Sequence, residues 1–313
     1  MKTEEHARMR ADLVGKIKQW CGPFPDRGDL NIEEVAHKEY RSHTEIKLFY
    51  DAQPGERVPA YLLLPRSGPE GKLPAVLAPH QCAWECDLGK DQVVGRCPHW
   101  PDQAYGFELV REGFVVLAPD ANKVGERFDP RLRERWQTAS ILGDSPDACC
   151  TAPGGTWGSI RWKPAYDAMR GMDVLSQHNS VDPQRIGVIG HSLGADTILR
   201  TMPHDERIAA AVISGGGMVG LTGDDAPYGV RYAELLNVMA PRPFFEVFGT
   251  QDHIGGSEEM VTNKRTAHAK ARELYDLYGK GDNLAKYEFD GGHSFPTEAR
   301  KAAYDWLHTK LAG

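Results

Sequence analysis

No stretch of this 313-residue chain is apolar for long enough to cross a bilayer. The opening segment, MKTEEHARMRADLVGKIKQW, also lacks the roughly 7-to-15-residue apolar core of an export signal. Neither a membrane span nor a leader is expected, and the expected location is cytoplasmic. Basic clusters are missing too. The 37 Lys+Arg and 44 Asp+Glu are interspersed and give a formal charge of -7, which argues against nucleic acid and anionic membranes as partners. Cysteine is scarce: Cys21, Cys82, Cys86, Cys97, Cys149 and Cys150 are expected as reduced thiols. Internal repeats and low-complexity tracts are absent, which excludes solenoids and disordered tails. What remains is 41% hydrophobic and long enough to bury one large core. A small neutral or mildly polar molecule is the expected partner, and a homo-oligomer is compatible with this composition.

The most informative stretch runs from Arg185 to Met202, reading RIGVIG, HSLGAD, TILRTM. Ile186, Val188 and Ile189 suit a buried strand, and Ala195, Ile198 and Leu199 suit one face of a helix. Between them Gly190-His191-Ser192-Leu193-Gly194 places a serine between two glycines, as a sharp strand-to-helix turn requires. About 0.1 chance matches to G-x-S-x-G are expected in a chain with 33 glycines, so the setting carries more weight than the pattern.

Taken in order, residues 1–43 read as an arm bearing one amphipathic helix (Met9, Leu13, Val14, Ile17, Trp20), broken at Cys21-Gly22-Pro23-Phe24-Pro25. Residues 44–313 form the main domain. Alternation at Ile46, Leu48 and Tyr50, a Pro54-Gly55 turn and the run Val58 to Leu64 predict an antiparallel hairpin at one sheet edge. PAVLAP, Phe114 to Ala118, Ile208 to Ile213, Phe244 to Phe248 and Ala285 to Phe289 predict further strands. Helical patterns around 107–112, 160–178, 257–277 and the C-terminus separate them. The alternation implies an α/β fold with a mostly parallel sheet and helices on both faces. Residues 121–157 and 218–240 break the periodicity and are expected to be irregular, lid-like excursions.

Ser192, Asp252 and His293 each follow a predicted strand, where the active groups of open parallel sheets gather. A serine hydroxyl needs a base to take its proton, which assigns that role to His293, with Asp252 fixing the tautomer of the ring. Asp252 could instead be a loop carboxylate or helix cap, and His293 a surface histidine. Asp224, Asp225 and Asp290 are poorer candidates for the acid. His191 reads as packing.

GHSLG, the Asp of GTQDH, the His of GGHSF and the strand ending in PHQ resemble the α/β-hydrolases over residues 44–310. Within that superfamily PAVLAPHQ, Gly89-Lys90 and EGFVVLAPDANKVGER are similar to dienelactone-hydrolase-like and acetyl-xylan-esterase-like serine esterases. Ser192 stands where dienelactone hydrolases carry cysteine, and His80-Gln81 where a His-Gly is usual. The resemblance implies a Ser-Asp-His triad and an oxyanion hole of backbone N–H groups, one from Leu193 and a second from Gln81 or Cys82. No cofactor is implied.

Candidate pocket residues are His80, Trp84, Asp120, Arg127 and Trp157. Arg127 either meets a substrate carboxylate or sits in a structural ion pair. A metal at His80, Cys82, Cys86, Cys97 and His99 is disfavoured by the spacing, so no metal is expected. The expected activity is carboxylic-ester hydrolysis through an acyl-enzyme. Amide or peptide cleavage by the same triad is the alternative, and a non-catalytic binding module on a hydrolase scaffold is a third possibility.

Overall fold

The computed structural model describes residues 2–66, 71–82, 87–128, 162–216, 230–252, 254 and 258–312. Strand alternation decides which core each residue serves. In β4 (Leu73–Leu77) Ala75 and Leu77 enter one core and Val76 the other. In β6 (Val181–His191) Ile186 and Val188 face the first and Ile189 the second. In β7 (Ile208–Ser214) Ala211 and Ile213 oppose Ala210 and Val212. A sheet apolar on both faces has to be covered on both.

Helices α1 (Thr3–Cys21), α3 (Lys163–Gln177), α4 (Leu193–Thr201), α5 (Tyr232–Met239) and α6 (Glu258–Leu277) cover the first face through side chains such as Ile17, Met172, Ile198, Leu236 and Tyr275. Helices α2 (Tyr105–Arg111) and α7 (Thr297–Leu311) cover the second with Tyr105, Leu109, Ala303 and Leu307. The amphipathic α1 docks on α5, where Arg10 Nε donates to the Val238 carbonyl at 2.9 Å.

The remaining strands are β1 (Glu33–Glu39), β2 (His43–Gln53), β3 (Glu56–Pro65), β5 (Val115–Pro119), β8 (Phe244–Gly249) and β9 (Leu284–Phe289). Among the described residues the sheet has nine strands in the order β1-β2-β3-β5-β4-β6-β7-β8-β9. Pairing is antiparallel from β1 to β5 and parallel from β5 through β4 to β9. Since β5 lies on one side of β4 and β6 on the other, the winding reverses there. Loops leaving the carboxyl ends at such a reversal part and open a crevice.

Two expectations change. The 44–64 hairpin is β2 and β3, but it lies inside the sheet; the edge is β1, whose seven residues are all exposed and whose sequence EEVAHKE shows no apolar alternation. Within the expected 218–240 excursion, Tyr232–Met239 is helix α5, burying Tyr232, Leu235, Leu236, Val238 and Met239. Most of the 121–157 excursion, with Trp136 and Trp157, lies outside the described residues, as do Trp84, Cys86, Asp224 and Asp225. No helix among the described residues is long and apolar enough to cross a membrane.

Candidate active site

β6 ends at His191, α4 begins at Leu193, and Ser192 makes the whole turn at φ 52° and ψ -116°. Left-handed φ in a residue with a Cβ is strained by about 1–3 kcal/mol, so the surroundings have to hold it. They do: Ser192 N–H donates to the Ser214 carbonyl at 2.8 Å, and the Ser192 carbonyl accepts from Asp196 N–H at 3.0 Å. The flanking glycines answer to contact. A Cβ on Gly190 would lie 2.6 Å from the Gly194 carbonyl carbon, and one on Gly194 would lie 2.2 Å from the Pro79 oxygen. The turn is thus pressed against the end of β4. Leu193, as first residue of α4, presents its N–H at the positive end of the helix.

The acid and base come from the loops after β8 and β9. Backbone bonds tie these loops together: Thr250 N–H to the Phe289 carbonyl and Gln251 N–H to the Gly291 carbonyl, both 2.9 Å. That register brings His293 Nδ1 to 2.7 Å from Asp252 Oδ2. Asp252 is buried, and its other oxygen accepts from Ile254 N–H at 3.1 Å. Accepting from Nδ1–H leaves Nε2 of His293 as the free basic nitrogen. Nε2 is buried without a hydrogen-bond partner, so a bond to Ser192 Oγ is not formed in this structure. Such contacts are often open before substrate binds. Asp290, exposed and held by Gln251 Nε2 at 2.7 Å, stays outside the arrangement.

The loop after β4 carries Gln81 and Cys82. His80 is 1% exposed, and its ring links two loops: Nδ1 lies 2.7 Å from the Gln81 carbonyl, and Nε2 accepts from Ala121 N–H at 3.0 Å. Burial lowers its pKa and keeps the ring neutral. The structure therefore corrects His80 from a pocket wall to a brace beneath it. Gln92 Nε2 adds a second donor to the Gln81 carbonyl at 3.2 Å. Cys82 is disulfide-bonded, contrary to the expectation of reduced thiols, while Cys21 and Cys97 remain thiols.

Asp120 and Arg127 are both held in ion pairs, the second of the two readings of Arg127. Asp120 accepts from Lys90 N–H and Nζ, each at 2.7 Å, and from Glu126 N–H at 3.0 Å. Arg127, with its side chain 7% exposed, donates to Asp167 at 2.8 Å and also to Glu56. Both charges are closed into structural pairs, so Arg127 is not free to meet a substrate carboxylate. A small pocket does lie beside α4, lined in part by Leu77, Pro79, Asp120, Asn122, Ala168 and Thr197. Among the described residues no group of three or more His, Cys, Asp or Glu is arranged to hold a metal.

Sequence reasoning missed the supports on the β7 side. Lys264 on α6 donates to the Gly216 carbonyl at 2.7 Å and pairs with Glu246 of β8, which also lies 2.6 Å from His268. Burial alone would raise the Glu246 carboxyl, but Lys264 and His268 hold it at about 2. Glu246 alternates with Phe245 and Val247 inside a buried strand, and an acid amid an apolar run was the available signal.

No protein-family model matches the chain. It is 25% identical over 288 residues, 86% of its own length and 91% of the other's, to a protein of Bacillus subtilis (strain 168) named "Putative hydrolase YtaP". Among solved structures it is similar to a glucuronoyl esterase from Solibacter usitatus, with TM-score 0.70 and 16% identity over 97% of this chain and 92% of that one. It is also similar to Methylesterase BT1017, with TM-score 0.69 and 19% identity over 99% of this chain, spanning 65% of the length of that protein.

Proposed function

We propose that this chain, which has the α/β-hydrolase fold, is a serine hydrolase of small-molecule carboxylic esters. One observation carries it: His293 is bonded through Nδ1 to the buried Asp252, with a bare Nε2, on the same rim as the strained turn that presents Ser192. His293 Nε2 takes the Ser192 proton as Oγ attacks the ester carbonyl, and Asp252 stabilises the resulting imidazolium. The oxyanion is held by Leu193 N–H and by the Gln81 or Cys82 amide. Each such donor is worth about 3 kcal/mol because it meets charge that exists only in the transition state. Collapse of the tetrahedral species releases the alcohol with the proton returned from His293. Water, deprotonated in turn by His293, then splits the acyl-enzyme to the acid and free Ser192. No step calls for a metal or a cofactor. Relatives of this fold named as esterases support the same leaving-group class.

Purified protein should hydrolyse p-nitrophenyl esters in preference to the matched anilides. Ser192→Ala should abolish turnover and fluorophosphonate labelling while leaving the fold intact. Wild-type turnover by Ser192→Ala, or a clear preference for anilides, overturns the proposal.

A further inference from the structure

Directly beneath the base lies a second imidazole that the mechanism above does not use. His191, at the end of β6, is fully buried, and its ring centroid is 4.6 Å from that of His293 at an interplanar angle of 42°. Its Nδ1 lies 2.9 Å from Ser214 Oγ, and its Nε2 is buried without a partner. A polar ring with an orphaned nitrogen is a costly filler where phenylalanine would have the bulk, and such groups gather at functional sites.

The surroundings show what the ring holds. His191 and Ser214 together touch three successive residues of the base loop: His191 stands against His293, Ser214 Oγ donates to the Ser294 carbonyl at 3.5 Å, and His191 stacks on Phe295 at 6.3 Å and 18°. Ser214 also takes the Ser192 N–H on its carbonyl. One residue at the end of β7 thereby joins the nucleophile's turn to the base's loop. Gly215 follows at φ +57°, and a Cβ there would sit 3.0 Å from Cε1 of both His191 and His293, so only a residue without one lets the backbone pack against the edges of both rings.

We propose that His191, anchored by Ser214, is a positioning residue that fixes the plane of the His293 ring between Asp252 and Ser192. The inference rests on the esterase reading above. Two titratable groups face His293, Asp252 from the loop after β8 and His191 from the end of β6, and Gly215, just past β7, contributes backbone. Burial, and then the neighbouring His293, push the His191 pKa well below its ordinary value, so the support stays uncharged. It therefore sets no positive charge against the imidazolium that forms on His293.

The test compares His191→Phe, His191→Asn and Ser214→Ala with wild type and Ser192→Ala. It follows kcat and KM for p-nitrophenyl acetate across the acid limb of the pH profile, with circular dichroism and the unfolding midpoint. His191→Phe keeps the stacking and removes the anchor, while His191→Asn keeps an amide near the Nδ1 position. Ser214→Ala deletes one oxygen and should fold. We expect kcat to fall about tenfold in His191→Phe and Ser214→Ala with KM nearly unchanged, because a base misplaced by a fraction of an ångström loses the near-attack geometry. The acid limb of kcat/KM should move to lower pH as the ring loosens from Asp252, and His191→Asn should recover part of that movement. Wild-type kcat and pH profile in the folded variants overturn the proposal, as does a fall in kcat with no movement of the acid limb. If Ser192→Ala itself retains turnover, it is the esterase reading that fails.

Discussion

Ser192 carries its strain for a reason that can be measured apart from activity. At φ 52° a side chain is disfavoured and glycine is not, so the turn trades stability for a presented hydroxyl. Ser192→Gly should therefore unfold at higher urea than Ser192→Ala, by about 1 kcal/mol, with both inactive; equal midpoints would remove strain from the account. The proposed acid and base are legible at this scale because each follows a strand, Asp252 just past the strand-ending Gly249 and His293 directly after Gly291-Gly292, which are local signals. His191 and Ser214 are not legible, because the Nδ1–Oγ contact joins residues 23 positions apart and the Ser294 carbonyl lies 80 positions from Ser214. No pattern within either segment distinguishes a ring that braces a base from a ring that fills space.

At the scale of elements, legibility follows periodicity. The apolar runs within β4, β7 and β8 appear where they are expected, and so does Ile186 to Ile189 in β6, although that strand begins earlier, at Val181, and takes in the polar stretch before Ile186. α5 is short and follows a stretch without periodicity, so its apolar face escapes notice until Leu235 and Leu236 are seen packed in the core. The same face of the sheet holds a pH-sensitive contact. His204 lies 3.6 Å from Cys21 Sγ at the end of α1 and packs on the edge of Phe24. Burial, and then Lys18, lower its pKa from 6.5 to about 4. The unfolded chain binds this proton more readily than the folded one, so the stability is complete above pH 6.5. It is lost as pH falls towards 4, with an upper bound of about 3 kcal/mol. His80 and His191 shift in the same direction and add to the slope. Unfolding midpoints measured through this window should fall less steeply for His204→Gln than for wild type, and parallel slopes would show that α1 docks without this contribution.

Across the whole molecule the rim is assembled from segments distant in sequence, and buried charge ties them to the helices behind. Lys264 shows this most directly. It joins α6 to Glu246 in β8 and to the Gly216 carbonyl beside His293's loop, so one ammonium links a helix, a strand and the rim. Removing Lys264 leaves the buried Glu246 with its His268 contact but without its ammonium partner, which is worse than replacing both members of the pair. Lys264→Met should accordingly destabilise the protein by about 3–5 kcal/mol, whereas Lys264→Met with Glu246→Gln should regain part of that loss. The sign with pH is fixed by Glu246. Its folded pKa of about 2 lies below the ordinary 4.5, so the contribution of the pair is complete above pH 4.5 and declines as pH falls towards 2. Urea unfolding at neutral pH and near pH 3 should therefore bring wild type and Lys264→Met closer together in acid. A gap that stays constant, or a single variant as stable as wild type, would mean that packing rather than charge holds α6 to the sheet.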